Sequence, residues 1–516
     1  MRNLHLAALS TLLFSLGAAM MASGFTLLPA IASILCFIGV NAIFTTTSAG
    51  ELLERPVEWP WFAQCLTIAL LWCVIGGQGH FIFAKDDWLY RDAVLADIAL
   101  RWLPVVYADG SDNWLLRAPL GMYLLPGGVG HLFGLRAAHL AQLLQNSVIL
   151  GVTLYLPTLV WPRRRLVFVA LFIAFSGLDV IPVLLKTGGA SLLVNLSFWS
   201  DHWQYSSNVT QLVWSPNHTL PGWFFAALAV LYLKGEIDLA ALAAASVPLA
   251  LWSPLTLAGA AALFLFFLVR APRDLLSLRF AGACGSGLAF LPILAYLAAD
   301  AGEVPHEWLV FAPGFFEDYV LFILFALAQV FLLAFFRERI APWFRGALFF
   351  SVALLLVIPA YSVGYMNDFS QRAPIVPRAL LAFGFDALII DLMTTGPALA
   401  LVGALAIVLV GAMTPALEIY DAVASRAFPP GDCNLITVHK KLHPRNYLST
   451  YLARLSALPE WMTKGAAETA PLRDEARACW PGRPYGEKLF NWLKPESRIW
   501  LRAPRPEDLV DPTAPK

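Results

Sequence analysis

Long apolar runs separated by short polar turns dominate this chain. Most runs approach or exceed the roughly 20 residues that a helix needs to cross the hydrocarbon core of a bilayer. Backbone groups in lipid must bond within their own segment, so such runs fold as helices. The pattern predicts an all-α polytopic membrane protein with about 13 transmembrane helices. The predicted spans are Leu6–Met21, Phe25–Phe44, Trp59–Ala84, Ala137–Trp161, Leu166–Leu185, Pro221–Leu233, Leu239–Trp252, Leu255–Val269, Phe280–Ala299, Tyr319–Phe336, Ala347–Tyr365, Ala379–Leu392 and Pro397–Ala416.

The first apolar run follows Arg2 and has the length of a signal peptide. A second run begins at Phe25, and no convincing cleavage site separates the two. We therefore expect two retained helices joined by a tight turn. Residues 1–420 then form one transmembrane domain.

Lys and Arg are concentrated in the short turns on one side of the predicted bundle. By the positive-inside rule these turns are cytoplasmic. The longer loops, which are Lys85–Arg136, Lys186–Leu220, Asp300–Asp318 and Tyr365–Arg378, then lie outside the cytoplasm. A pump or channel needs openings on both sides of the membrane, whereas an enzyme that acts on the outer leaflet needs catalytic loops on one side only. The asymmetry therefore favours an enzyme.

Composition supports the membrane class and excludes others. Hydrophobic residues make up 59% of the chain, charged residues only 14%, and the formal net charge is zero. These values lie outside the range of soluble domains, and they give no basis for binding nucleic acid. The six cysteines fall singly, without the spacing of a zinc site.

The tail, residues 421–516, mixes proline, charged and aromatic residues and has no membrane-length run. An odd number of crossings from a cytoplasmic N-terminus places it outside as a small C-terminal domain. It contains Cys433 and Cys479. In an oxidising compartment we predict a disulfide between them, which would stabilise a domain poor in core. Two unrelated thiols are the alternative.

An acidic pair, Asp86-Asp87, follows directly on the predicted span Trp59–Ala84, between Lys85 and Arg91. Carboxylates at the mouth of a membrane helix are costly, so they are candidates for handling a proton, a metal ion or a substrate. A solvated acidic loop is the alternative. Leu95, Ile98, Ala99 and Trp102 then recur at helical spacing, which predicts an amphipathic helix along the membrane surface.

Two further outer loops contain candidate binding residues. Trp214, Asn217 and His218 belong to a loop in which amides and imidazoles alternate with aromatic rings, a mixture that suits sugars but also any interfacial loop. A structural role for His218 is equally compatible with the pattern. In the other loop Asp368 precedes Arg372 by one helical turn. The pair either neutralises itself or holds the guanidinium to grip a phosphate with two parallel hydrogen bonds.

An acidic motif in the first outer loop followed by a further helix resembles the arrangement of GT-C glycosyltransferases. The chain is also similar to a group of bacterial polytopic inner-membrane proteins. That similarity runs through Gly76-Gly77-Gln78-Gly79-His80, Asp87-Trp88, Val94-Leu95-Ala96-Asp97, Tyr123-Leu124-Leu125-Pro126, Trp214-Ser215-Pro216-Asn217-His218, Pro221-Gly222-Trp223, Asn367-Asp368-Phe369, Arg372, Thr414-Pro415-Ala416-Leu417-Glu418-Ile419 and Asn446-Tyr447-Leu448. Two departures stand out: Leu103-Pro104 replaces Trp-Pro, and Arg91 replaces a common His.

The resemblance implies a GT-C-like fold in the bacterial inner membrane, with the active face outside the cytoplasm. It implies a polyprenyl-phosphate- or diphosphate-linked sugar as donor and an envelope glycan or lipid as acceptor. Asp87 matches the acid of the family and is the expected base, because transfer needs a group that accepts the proton of the acceptor hydroxyl. Asp86 would raise the pKa of Asp87 or help to hold a divalent cation such as Mg²⁺ or Mn²⁺.

Arg372, assisted by Lys85 or Arg91, would stabilise the departing phosphate. Asp368, His218, Asn217 and Trp214 complete the expected substrate-binding set. The competing interpretations are a lipid-linked glycan flippase or other transporter, and a non-catalytic scaffold of a polysaccharide assembly complex. A transporter would favour charges in the middle of spans, where Asp179, Asp386 and Asp391 are the candidates.

Overall fold

The structure is a computed structural model that describes most of the membrane domain and part of the tail. The described residues are 1–85, 87–109, 112–187, 196–200, 202–364, 366–425, 427, 430–431, 433–442 and 451–463. Asp86 and Cys479, both candidate residues of the sequence analysis, lie outside this part of the chain.

Helices make up most of the described chain. The first twelve are α1 (Asn3–Met21), α2 (Leu27–Thr45), α3 (Glu51–Glu54), α4 (Trp59–Ile75), α5 (Trp88–Arg101), α6 (Gly121–Phe133), α7 (Leu135–Val160), α8 (Arg165–Ala174), α9 (Val180–Thr187), α10 (Asn208–Trp214), α11 (Pro216–Leu233) and α12 (Leu239–Ser246). The others are α13 (Leu249–Trp252), α14 (Pro254–Arg270), α15 (Leu278–Ala289), α16 (Leu291–Ala298), α17 (Phe315–Ala326), α18 (Gln329–Phe335), α19 (Pro342–Val357), α20 (Asp368–Arg372), α21 (Ile375–Thr395), α22 (Ala398–Gly411), α23 (Met413–Ala424) and α24 (Leu435–Leu442).

Five helical segments are long and apolar enough to cross a membrane: Asn3–Gly24, Leu27–Thr45, Leu135–Val160, Pro342–Ala360 and Ala398–Ala424. Two bent helix pairs, α15 with α16 and α17 with α18, raise the number to seven if each pair is one span. A mostly helical protein with apolar helices of membrane length is therefore confirmed among the described residues. The count of about 13 crossings and the GT-C architecture stay predictions.

Several predicted spans are interrupted, and local chemistry explains the breaks. The run Leu166–Leu185 divides into α8 and α9 around Asp179, whose carboxylate accepts a hydrogen bond from Trp199 Nε1 at 3.1 Å. The run Leu239–Trp252 divides into α12 and α13 next to Pro248, whose ring nitrogen cannot donate a helical hydrogen bond. Apolar run length by itself therefore overestimates the length of individual helices here.

The core is built around α7. Most of this helix, 83% of its membrane-length window, is buried inside the protein, and it packs against α4, α6 and α11. Its first half carries polar side chains such as Gln142 and Asn146 into the interior. These buried polar side chains distinguish the interior around α7 from the apolar surface of the outer helices.

The helix predicted to follow Asp87 is present as α5, but its predicted position was wrong. Eleven of its residues are buried, including Asp92 and Asp97, so the helix lies inside the protein rather than along a membrane surface. Asp97 accepts hydrogen bonds from Tyr107 Oη at 2.6 Å and from the backbone N of Leu435 at 2.9 Å. Hydrogen bonds from Tyr107 and from Leu435 of the tail therefore compensate for the burial of Asp97, which lies on the polar face of the helix.

Two small sheets modify the expectation of an all-α fold. Strands β1 (Val106–Asp109), β2 (Asp112–Leu116) and β5 (Leu452–Arg454) form an antiparallel sheet in the order β1-β2-β5, and β3 (His306–Trp308) pairs with β4 (Tyr361–Val363). Strand β5 belongs to the predicted tail domain, so this part of the tail lies against the first outer loop.

The described tail packs directly on α5 and on the segment that follows β2. Helix α24 contacts α5, and the backbone N of Arg117 donates to the carbonyl of Tyr451 at 2.7 Å. Cys433 is buried and disulfide-bonded. Its predicted partner Cys479 lies outside the described residues, so the pairing of these two cysteines stays a prediction.

The packing of α14 on α20 yields a test of the fold. A Cβ at Gly259 would overlap the carbonyl oxygen of Ala373, the residue that ends α20. We expect Gly259→Ala to lower the free energy of unfolding by about 1–3 kcal/mol, because the clashing atom is backbone and cannot rotate away. Thermal unfolding in detergent measures the change. Gly285→Ala is the control, since nothing lies within 4 Å of its added Cβ, and equal stability of the two variants would contradict this packing.

Candidate functional site

Asp87 and Arg91 form the centre of a polar cluster at the start of α5. Asp87 is the residue that precedes the helix, and its side chain is 43% exposed. Arg91 lies one turn later, and its Nη1 donates to the backbone carbonyl of Asp87 at 2.9 Å. Its Nη2 is 3.5 Å from the carboxylate of Asp87. The helix therefore presents a carboxylate to solvent with a guanidinium directly behind it.

The environment of Arg91 keeps it charged despite its burial. The side chain is only 2% exposed, and Nε has no hydrogen-bond partner among the described residues. Burial by itself lowers the pKa of Arg91, but Asp87 and nearby tyrosines raise it overall. A buried, fully charged guanidinium with an open donor is suited to bind an anion.

Arg372 approaches the same region from α20. The helix is capped by Asn367, whose side chain accepts from Ser370 N and donates to the carbonyl of His202 at 2.8 Å. Arg372 is paired with Asp368 through Nη1. Its Nε and Nη2 have no hydrogen-bond partner in the described part of the chain. The Asp368 pairing thus orients the side chain and leaves two donors on one edge of the guanidinium.

Tyr451 interacts electrostatically with residues of both α5 and α20. These residues are Arg91, Asp87, Arg372 and Asp368. Burial raises the pKa of Tyr451, so the phenol stays protonated. Sequence analysis did not select this residue, since it is distant in the chain and lies in the tail. Only the pairing of β5 with β2 brings it to the site.

Two more tyrosines line the cluster. Tyr90 stacks on Tyr451, with ring centroids 6.0 Å apart. Tyr123 is buried within electrostatic range of Arg91 and Asp87, and its hydroxyl has no hydrogen-bond partner among the described residues. The site therefore combines two guanidinium groups, one accessible carboxylate and phenol groups. Such a set is complementary to a phosphate ester and to the hydroxyl of a second substrate.

His218 and Asn217 lie at the inner edge of this cluster and are held by internal hydrogen bonds. The imidazole is within electrostatic range of Arg372 and Arg91. Its Nε2 is 3.2 Å from Nδ2 of Asn217, which can only donate, and its Nδ1 is 2.7 Å from the hydroxyl of Ser253. This network assigns a neutral imidazole that donates through Nδ1. His218 therefore lies near the site and also has a structural role through its hydrogen bonds.

Lys85 and Trp214 form a separate charged cluster with α23. Lys85 is 4% exposed and makes ion pairs with Glu418 at 3.0 Å and with Asp421. Trp214 Nε1 donates to Glu418 at 3.2 Å, and the ammonium lies 5.6 Å from the centre of the indole. Both residues were expected to bind substrate. Their side chains are instead engaged with the carboxylates of α23.

A cavity of about 340 Å³ lies beside α20 on the same side of the protein. It is lined by residues of three outer loops, among them His202, Trp203, Glu307, Asn367 and Gln371. A second cavity of about 410 Å³ lies at the opposite ends of α7 and α21, next to the ion pair of Arg339 and Asp391. The polar and aromatic lining of the first cavity matches the mixture of groups predicted for sugar binding.

The expectation that Asp86 and Asp87 hold a metal ion stays a prediction. Asp86 lies outside the described residues, and Asp87 lies next to Arg91 rather than next to a second described carboxylate. Within the described part of the chain, the cluster with metal-ligand geometry is His80, Asp92 and His139. Sequence analysis missed it because the three residues belong to separate elements and form no motif.

Comparisons with known proteins give no assignment: no protein-family model, no curated protein and no solved structure matches this chain.

The Lys85 cluster generates a stability prediction. Lys85→Met should lower the free energy of unfolding by about 3–5 kcal/mol, because it leaves the buried Glu418 carboxylate without its cation. The double variant Lys85→Met/Glu418→Gln should recover part of this loss. Thermal unfolding in detergent measures both, and a single variant as stable as the unmodified protein would show that the ion pairs do not hold α23 in place.

Proposed function

We propose that the protein is a membrane glycosyltransferase that uses a polyprenyl-phosphate-linked sugar at the extracytoplasmic face to modify an envelope glycan or lipid. The observation that supports the proposal is the contact of Arg91 with Asp87 at 3.5 Å, together with the electrostatic interaction of Tyr451 with Asp87, Arg91 and Arg372. Glycosyl transfer from a lipid phosphate needs a base for the acceptor and cations for the departing phosphate. The cluster offers both kinds of group at the ends of apolar helices.

The reaction is a displacement at the anomeric carbon with inversion. An acceptor oxygen forms a bond to this carbon while the bond from the carbon to the phosphate oxygen breaks. Asp87 takes the proton of the acceptor hydroxyl, since it is the partly exposed carboxylate of the cluster. The lipid phosphate leaves with an additional negative charge, which the open donors of Arg91 and Arg372 stabilise.

Acid and base assignments follow from the surroundings of each group. Asp87 is assigned as the base because its carboxylate is 43% exposed, with Nη2 of Arg91 3.5 Å away. Lys85 is saturated by Glu418 and Asp421, so we do not assign it to the donor. Asp86 and a bound Mg²⁺ or Mn²⁺ remain part of the proposal only through the resemblance described above.

The cavity beside α20 is the proposed acceptor site. Ser370 and Gln371, which line it, belong to the same helix as Arg372, so a molecule in the cavity lies next to the phosphate site. The exposed side chains of His202 and Glu307 provide hydrogen-bonding groups. These groups match a sugar acceptor, whose hydroxyls pair with polar side chains.

One observation favours the second candidate, a flippase for a lipid-linked glycan. The cavity of about 410 Å³ lies at the ends of α7 and α21 that are opposite to the Asp87 cluster. A transporter needs access to its substrate from both sides of the membrane, and this cavity lies on the side opposite to the proposed site. The two candidates are separated by the measurement described next, because transfer forms a new glycosidic product and flipping does not.

Asp87→Asn should reduce transfer by about 10²–10⁴-fold, because an amide cannot accept the proton of the acceptor hydroxyl. The measurement uses proteoliposomes supplied with a panel of labelled polyprenyl-phosphate-linked hexoses and pentoses and a cell-envelope glycan extract. Asp318→Asn is the matched control, since Asp318 is an exposed carboxylate outside the cluster. Unchanged transfer in Asp87→Asn would reject Asp87 as the base. Wild-type protein that moves the labelled lipids across the bilayer without forming product would favour the flippase.

Arg372→Lys should weaken donor binding by about tenfold or more, because a point charge cannot reproduce two parallel hydrogen bonds to phosphate oxygens. The affinity for polyprenyl phosphate itself, measured by quenching of tryptophan fluorescence in detergent, tests this directly. Arg136→Lys on the exposed start of α7 is the control. Equal affinity in Arg372→Lys and the unmodified protein would indicate that the pairing with Asp368 serves the fold alone.

A further inference from the structure

A cluster of two histidines and one carboxylate is buried behind Arg91. Nε2 of His80 lies 2.9 Å from Oδ2 of Asp92, and Nδ1 of His139 lies 3.9 Å from Oδ1 of the same carboxylate. One ligand atom from each of the three side chains lies within 4.8 Å of the other two. All three side chains are at most 3% exposed. The cluster joins three elements, since His80 follows α4, Asp92 is in α5 and His139 is in α7.

The distances between the imidazole nitrogens and the Asp92 oxygens are close to the distances between ligand atoms in a metal site. Bonds of about 2.0–2.2 Å at tetrahedral angles separate ligand atoms by roughly 3.4 Å. The two measured separations, 2.9 and 3.9 Å, lie on either side of this value. The two imidazole rings are perpendicular, with 88° between their planes and 5.1 Å between their centres. Small rotations of the two imidazole rings would therefore bring their nitrogens to bonding distance of an ion between the three side chains.

The close contact between His80 and Asp92 explains only part of the cluster. His139 is also buried, and neither of its ring nitrogens has a hydrogen-bond partner among the described residues. A buried polar group without a partner is destabilising, so such groups in folded proteins usually have a ligand. Gln142, one turn further along α7, also has an amide nitrogen without a partner in the described chain. The polar groups around Asp92 therefore include more than one histidine–carboxylate pair.

The backbone before His80 is shaped to bring this side chain inward. Gly77 and Gly79 have φ values of 83° and 77°, and His80 itself has a φ of 56°. A Cβ at Gly77 would meet the backbone of Ala84, so the turn requires glycine at that position. Left-handed conformations of residues other than glycine are uncommon and concentrate at functional sites. The Gly-Gly-Gln-Gly-His segment therefore has a use beyond ending α4.

We propose that His80, Asp92 and His139 bind a divalent transition-metal ion, of which Zn²⁺ fits the donor set best. Two neutral imidazoles and one carboxylate match zinc, whereas Mg²⁺ and Ca²⁺ prefer oxygen ligands throughout. The ion joins the segment after α4 to α5 and α7. It thereby fixes the first half of α5, which carries Arg91 and follows Asp87. Its own ligands lie in the interior and do not belong to the phosphate site.

Metal content of the purified, tag-free protein in detergent tests the proposal. The protein is stripped with a chelator, reloaded with Zn²⁺ or with Mg²⁺, desalted and analysed by plasma mass spectrometry. We expect about one equivalent of Zn²⁺ per chain and no retained Mg²⁺, since three protein ligands of this type hold zinc through desalting. His139→Ala, His80→Ala and Asp92→Asn should each lose the bound zinc. His131→Ala should retain it, because His131 contacts the carbonyl of Ala99 and lies outside the cluster.

A measurement on the unmodified chain keeps the test independent of variants that fail to fold. Co²⁺ added to stripped protein should produce the visible absorption of a four-coordinate site with nitrogen and oxygen ligands, and Zn²⁺ should abolish it. Zinc should also raise the midpoint of thermal unfolding of the unmodified protein and of His131→Ala, but not of His139→Ala. Unmodified protein that retains neither ion would overturn the proposal, as would His139→Ala and Asp92→Asn variants with full zinc content. None of these measurements depends on glycosyl transfer, so the metal site and the proposed function can fail separately.

Discussion

Burial of charge in an apolar bundle is the constraint on which the outer end of this protein depends. A charged side chain is stable there only beside an opposite charge or a ligand. Lys85 meets this condition with Glu418 and Asp421, and Arg372 meets it with Asp368. The pairs of Lys85 join it to α23, and the pair of Arg372 fixes the rotamer of that side chain. The distribution of charge therefore affects how the loops are arranged. The groups whose charges are less completely compensated then define where chemistry can take place.

Arg91 is such a group, since its Nε has no hydrogen-bond partner among the described residues. Its ion pair with Asp87 is long, at 3.5 Å, and the carboxylate is 43% exposed while the guanidinium is buried. Arg372 adds a second guanidinium with donors that no described residue uses, and Tyr451 links all three electrostatically. The site holds two guanidinium groups, Arg91 and Arg372, and two carboxylates, Asp87 and Asp368. The guanidinium groups supply the donors that an anion needs. The proposed phosphate of a lipid-linked donor satisfies this requirement, and the apolar helices below offer a surface for its prenyl chain.

The tail and the interior cluster support the site from two sides. Strand β5 extends the sheet of the first outer loop and carries Tyr451 to Arg91. On the other side, Asp92 faces His80 and His139, which anchors α5 to the polar half of α7. Helix α5 is therefore fixed along its length, although its sequence resembles that of a surface helix. Rigid support of this kind is what a transfer reaction needs, because a small displacement of a catalytic group reduces the rate strongly.

The sequence by itself determined the class of the protein and the chemistry of its loops. Apolar runs require helices in lipid, and scarce charges such as Asp87 and Arg372 stand out against them. Whether α5 would be exposed, and which partners Lys85, His139 and Tyr451 would have, depended on contacts between residues far apart in the chain. Helix propensity and hydropathy describe one segment at a time and contain no information about its neighbours. Only the tertiary structure decided these pairings, because burial turns a polar residue of an amphipathic pattern into one that must find a partner.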